Sequence, residues 1–108
     1  MEFRKVTAII RSTVLEKIEL ALREIGIKGI SVTKVKGYGE YANFYAQDMM
    51  VGHARIENFT SAEKAGQIAA TIMDAAHTGI PGDGIVAILP VEKLLHIRSK
   101  AEARPEEL

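Results

Sequence analysis

Apolar positions along the chain recur with two periods, near two and near 3.6, and the switches between them divide it into six elements. Residues 3–11 are rich in β-branched side chains. Val6, Ala8 and Ile10 fall on every second position, which predicts a strand with one apolar face. Val14, Ile18, Ala21, Leu22 and Ile25 then follow helical spacing. Thr13 and Glu16 have the spacing of a capping box, in which a hydroxyl and a carboxylate satisfy amides left open by the first turn. Gly26 reads as the stop, because glycine enters the left-handed conformation at a helix end without steric cost. Residues 30–36 read as a second strand that ends at Gly37-Tyr38-Gly39, and residues 40–48 have no clean period and read as a loop.

Residues 49–59 predict a third strand. Met50, Gly52, Ala54 and Ile56 lie on one face; Val51, His53, Arg55, Glu57 and Phe59 lie on the other. Thr60-Ser61-Ala62-Glu63 repeats the capping-box spacing before a helix expected to bury Ala65, Ile68, Ala69, Ile72, Met73 and Ala76, with its stop at His77-Thr78-Gly79. Residues 84–89 are apolar on both faces and predict a fourth strand. Residues 91–97 are expected to form a short helix or turn, and the charged tail with Pro105 is expected to be loose.

The order strand, helix, strand, strand, helix, strand predicts an α+β fold of the ferredoxin-like βαββαβ type: an antiparallel four-stranded sheet with two helices on one face. Residues 1–108 read as a single domain with a loop at about 40–49 and a tail at about 99–108. The sheet face without helices needs cover, yet it carries His53, Arg55 and Glu57; a wet interface between subunits meets both demands. A domain of about 100 residues buries only some 60–70% of its unfolded surface, so association is a natural supplement.

Charge narrows the partners. Fourteen basic residues balance fourteen acidic ones, for a formal net charge of zero. No broad field then draws the chain to nucleic acid or an anionic membrane. The absence of cysteine excludes disulfides, zinc–thiolate sites and thiol nucleophiles. No apolar run approaches the roughly 20 residues that span a bilayer. Met1-Glu2-Phe3-Arg4-Lys5 turns polar too early for a signal peptide, so the expected location is cytoplasmic.

Candidate chemistry centres on Thr78-Gly79-Ile80-Pro81-Gly82-Asp83-Gly84. Three glycines in this stretch allow close backbone approach, and successive amides in such a loop form a concavity for phosphate. The same residues also fit a plain helix stop followed by a Pro-Gly turn. Gly37-Tyr38-Gly39 has the same two readings, nucleotide approach or bend. His96 and Arg98, two apart after the last strand, would point the same way in an extended segment, and Arg suits phosphate through its planar fork. Against this stands a solvated charged turn. His53, His77 and His96 lack the spacing of a helical metal site. Tyr41, Phe44 and Tyr45 could stack on a ligand, dock on a partner or pin their own loop. No serine sits in a nucleophile-elbow setting, and the acid pairs fall on solvated faces, so the chain is expected not to be an enzyme.

Several stretches taken together resemble the PII signal-transduction family (nitrogen regulatory PII). They are Ala8-Ile9-Ile10-Arg11, the run from Gly26 through Gly29-Ile30-Ser31 to Gly37-Tyr38-Gly39, Ala76-His77-Thr78-Gly79, Gly82-Asp83-Gly84, Leu89-Pro90-Val91-Glu92 and Ile97-Arg98. The likeness covers nearly the whole chain outside the middle loop. It implies a homotrimer of ferredoxin-like subunits that binds adenine nucleotides in clefts between neighbours and docks a long loop on a target protein. On motif position, one subunit would offer Ile9, Gly29, Ile30, Ser31, Gly37, Tyr38, Gly39, Phe59 and Gly82-Asp83-Gly84. Arg98, with His96 beside it, would reach in from a neighbour.

The departures from the family pattern set the expected ligand. The cation that follows the first glycine motif in the family is Glu40 here, and the next residue is Tyr41 rather than Gln. The lysine after Gly-Asp-Gly is Ile85, one of the paired arginines is His96, and a lysine that commonly contacts 2-oxoglutarate is His53. Each lost charge-assisted hydrogen bond costs roughly 1.5–3 kcal/mol. The resemblance with these changes implies ADP or AMP favoured over ATP, with the usual 2-oxoglutarate and magnesium positions broken and bicarbonate a candidate second effector. The loop at 40–49 is short for the family. Its target is an unknown protein, with a membrane transporter among the classes that divergent relatives serve. Two other readings stand beside this one. The first is a bicarbonate or other anion sensor, or a metal sensor, built on His53, Arg55 and Glu57 with Glu40. The second is a structural interaction module with an empty cleft.

Overall fold

The computed structural model describes residues 2–36 and 52–108. The strand β1, Phe3–Arg11, matches its predicted bounds. A 3-10 turn, Ser12–Val14, leads into α1, Leu15–Glu24, followed by β2, Ser31–Val35. Further along the chain come β3, His53–Ser61, α2, Ala62–Ala76, and β4, Gly84–Val91. These strands make one antiparallel sheet in the order β2-β3-β1-β4. Val6, Ala8, Ile10, Ala54 and Ile56 on the sheet pack with Ile18 and Leu22 of α1 and Ile68, Ala69 and Ile72 of α2, so both helices cover the same face. This is the expected ferredoxin-like α+β arrangement.

The end of α1 follows from its glycine. Gly26 has φ +89, its amide bonds Arg23 O at 3.0 Å, and the Ile27 amide bonds Leu22 O at 3.0 Å. This pair closes the orphan carbonyls of the last turn in a Schellman motif. The helix starts differ from expectation. Neither predicted capping box forms, and no side-chain cap bond is present at either α-helix. The Ser12 amide instead donates to Gly52 O at 2.6 Å and the Ala62 amide to Glu2 O at 2.8 Å, so neighbouring backbone does the work assigned to Thr13 and Thr60. Thr60 is itself buried in β3, which runs two residues further than predicted. Met73 was expected in the core but is 53% exposed, while Ala75 is buried. The helix turns Ala75 rather than the bulkier Met73 inward, which suits close approach to the sheet.

The C-terminal region departs most. Residues 91–97 hold no helix. Leu95–His96 (β5) pairs antiparallel with Ala101–Glu102 (β6) in a small hairpin. The tail is docked rather than loose. Ala103 is buried and donates its amide to Leu94 O at 2.8 Å, Pro105–Glu107 forms a 3-10 turn, and Lys64 Nζ donates to the Leu108 carbonyl oxygen. A local reading sees only charge and a proline here; the contacts that hold the tail come from residues up to 44 positions away.

Candidate functional site

The glycine loop between α2 and β4 is held by a dense set of hydrogen bonds. Asp83 is its organiser. Oδ2 accepts the amides of Thr78 at 2.9 Å and Gly79 at 3.0 Å, Oδ1 accepts the Thr78 hydroxyl, and that hydroxyl in turn accepts the Ile80 amide at 3.1 Å. Arg11, at the end of β1, donates to Pro81 O at 2.7 Å and stands 3.8 Å from Asp83 Oδ1. Burial opposes ionisation of Asp83. The Thr78 hydroxyl, the two amides and Arg11 outweigh it and hold the carboxyl below its usual value. The expected amide nest is therefore filled from within at Thr78 and Gly79, and Asp83 closes the loop instead of extending toward a ligand.

Gly84 seats the loop on the sheet. It has φ +109 and stands opposite Ile10, and a Cβ there would lie 1.8 Å from Ile9 O. Only glycine fits. Ile9 faces the side of the sheet without helices, in one row with Arg55 and Ile85. Ile85 is 45% exposed.

The remaining candidates gather elsewhere. Gly29 and Ile30 lie in the connector before β2, and Ser31 begins that strand. The Gly29 carbonyl accepts from Asn58 Nδ2 at 3.1 Å, and Gly29 and Phe59 line one groove of about 330 Å³ together with Lys28 and Lys64. Phe59 is 46% exposed, with Lys5 Nζ 5.9 Å from its ring centre. Phe59 stands opposite Lys5, and Gly84 stands opposite Ile10 on the same strand. Five residues of β-strand put about 17 Å between those ends of the sheet. Within one chain the candidates thus form two separate groups, Ile9 with the Gly82-Asp83-Gly84 loop and Gly29 with Phe59. On motif position all of them were expected on one side of a single cleft. His96 lies on β5 and Arg98 in the turn that follows; both line a recess with Arg104 and Glu107, next to the second group. Gly37, Tyr38, Gly39 and Glu40, and the loop 40–49, lie outside the described residues.

The sheet face with Arg55 and Glu57 is ion-paired in itself. Lys5 pairs with Glu57, and Arg55 Nε lies 3.6 Å from Glu57 Oε1. The hydrogen bond from Lys5 is the main reason that the Glu57 carboxyl sits below its usual value. His53 is not open beside them as expected; it is 3% exposed, in a row with Val35 and Arg11. Among the described residues no three His, Asp or Glu side chains gather as a metal site, and no helix is long and apolar enough to cross a membrane. Arg11, Lys5, Lys64 and Glu107 were missed by sequence reasoning. Arg11 follows the Ile9-Ile10 pair directly, but nothing local links it to a carbonyl 70 positions on.

The sheet order, the two helices on one face and the glycine loop at the start of the last long strand define a ferredoxin-like chain of the α+β class. The family model of nitrogen regulatory protein P-II matches residues 3–101, and the chain belongs to that family. It is 35% identical over 104 residues to nitrogen regulatory protein P-II of Azospirillum brasilense, covering 89% of this chain and 92% of that one. It is 29% identical over 106 residues to the P-II homolog of Arabidopsis thaliana, covering 91% of this chain. The chain spans about half (54%) of the length of that plant relative. The crystal structure of Arabidopsis thaliana PII bound to citrate superposes with a TM-score of 0.81 at 31% identity, covering 94% of this chain and 89% of that one. The chain is thus a PII-type regulatory protein.

Proposed function

We propose that this chain binds an adenine nucleotide, ADP or AMP in preference to ATP, in clefts between the subunits of a homotrimer, and reports occupancy to a partner protein through residues 40–49. The observation that carries the reading is the loop at 78–84, locked by Asp83 and Arg11 and seated on Ile9 through Gly84, in a chain of this family. The separation of the candidates supports a shared cleft. Ile9 and the glycine loop stand at one end of the sheet, and Gly29 and Phe59, with His96 and Arg98 nearby, stand at the other. Two copies that bring opposite ends of their sheets together would let one nucleotide touch both groups. The helix-free face, with Phe59, Ile85 and Leu89 exposed beside a closed Lys5–Glu57–Arg55 cluster, suits a half-wet subunit interface. The solved Arabidopsis relative is bound to citrate, a polyanion, in keeping with anion binding on this fold.

Titration calorimetry with ATP, ADP and AMP, each with and without 2-oxoglutarate, tests the reading. ADP or AMP is expected to bind most tightly, with no 2-oxoglutarate effect. Tight magnesium-dependent ATP binding coupled to 2-oxoglutarate would overturn the preference, and no nucleotide binding at all would overturn the function. The same assay tests the cause of the preference. Ile85→Lys restores a cation beside Gly84, and one charge-assisted hydrogen bond is worth roughly 1.5–3 kcal/mol. ATP should then bind on the order of tenfold tighter, with ADP gaining less. Unchanged ATP affinity would remove position 85 from the explanation.

A further inference from the structure

The docked tail places negative charge where the proposed nucleotide would need positive charge. Glu106, Glu107 and Leu108 line the groove that also holds Lys28, Gly29 and Phe59. Glu107 stands at the junction of this groove with the recess of His96 and Arg98, since it lines both. Its Oε2 lies 2.8 Å from His96 Nε2, and its Oε1 accepts Arg104 Nε at 3.1 Å and the Arg104 amide at 3.2 Å. Lys64, a further cation on the groove wall, donates to the Leu108 carbonyl oxygen. Two polar side chains that face this groove and recess, His96 and Lys64, are thus engaged by the chain's own tail.

We propose that the acidic C-terminal segment, Glu106 and Glu107 above all, is an internal anion that competes with a nucleotide's phosphates for the His96–Arg98 side of the cleft, so that binding requires its release. This rests on the nucleotide reading above and names a regulation of that same site. His96 Nε2 can face the Glu107 carboxylate or a phosphate oxygen, not both. A phosphate brought beside the exposed Glu106 and Glu107 meets like charge at short range. Release costs little. The turn Pro105–Glu107 buries no residue; Ala103 is buried, and Pro105 and Leu108 are only half-buried. A segment with so few buried contacts opens at the low end of local stability. Its closed population lowers apparent affinity by the fraction of chains left open.

The experiment compares the full chain with Glu107→Gln, with Glu106→Gln/Glu107→Gln, and with a chain ended after Ala103. Each is titrated with ADP and with ATP by calorimetry. Both nucleotides should bind more tightly as tail charge is removed, on the order of tenfold for the double variant, and ATP should gain more than ADP because it carries more charge. Binding seen in the variants alone is the same result in stronger form. If the unaltered chain binds and the variants bind equally or more weakly, the tail proposal is overturned and the nucleotide reading stands. If no chain binds either nucleotide, both fall. A measurement on the unaltered chain covers the case in which a variant folds poorly. Nuclear magnetic resonance of the His96 ring and the Glu107 amide should show the pair separate as ADP saturates, and a pair retained at saturation overturns the proposal.

Discussion

Gly84→Ala is expected to cost about 2–5 kcal/mol and to lower the thermal midpoint by about 10 °C or more, read by circular dichroism. Two effects add. A non-glycine residue held at φ +109 is in a conformation that costs roughly 1–2 kcal/mol. The new Cβ would also fall 1.8 Å from Ile9 O and 2.9 Å from Ile9 C, against backbone that cannot turn aside as a side chain can. Forced overlap of this kind costs typically 1–3 kcal/mol more as strands shift apart. A domain with a total stability of about 5–15 kcal/mol feels such a loss. Gly26→Ala is the control. It has a similar positive φ of +89 but nothing within 4 Å of the added Cβ, so about 1 kcal/mol is expected. Equal small losses at both positions would show that the β1–β4 contact at Gly84 is looser than drawn.

Asp83→Ala is the second large change. It removes the acceptor for the Thr78 and Gly79 amides and the Thr78 hydroxyl, and the anion beside Arg11. Roughly 2 kcal/mol of stability is expected to go, as for a charge-assisted hydrogen bond lost in a half-exposed site. If the nucleotide reading holds, ADP binding should fall at least about tenfold, since the loop loses its fixed shape. The pH dependence has a definite sign. The Asp83 carboxyl is held below its usual value in the folded chain, against the opposing effect of burial, so folding favours the ionised form. Its contribution is complete above the unfolded value and is lost as pH falls through the lower, folded one. Denaturant unfolding of both chains should therefore show a gap at neutral pH that shrinks at acid pH. A gap that stays constant or widens on acidification would mean that the Asp83 charge does not hold the loop.

Local features of the sequence were read well where the cause is local. The bounds of β1, the apolar stripes of α1 and α2, the stop at Gly26 and the glycine that opens β4 all follow from period and from backbone permissiveness within a few residues. Readings failed where a distant partner outbid a local one. Thr13 with Glu16 and Thr60 with Glu63 had capping spacing, yet Gly52 O and Glu2 O took the amides at those starts. The segment after β4 looked like a turn and a loose tail because its hairpin partner and its anchor at Lys64 are not visible in its own composition. His53 shares the alternation of Arg55 and Glu57 but is buried, because alternation states which face a side chain takes and not what covers it.

The same division runs through the candidate site. The sequence by itself determined the element order, the core faces and the glycine motifs. These depend on residue type and near-neighbour spacing, which any window of the chain carries whole. Only the tertiary structure decided that Asp83 spends its charge inside its own loop, that Arg11 holds that loop from the end of β1, that the candidates divide between two ends of one sheet, and that Glu107 faces His96. Arg11 and Pro81, for example, are 70 positions apart along the chain and meet only when β1 is paired with β4. Charge, hydrogen bonding and overlap act over a few ångströms in space, and the distance along the chain does not report that separation.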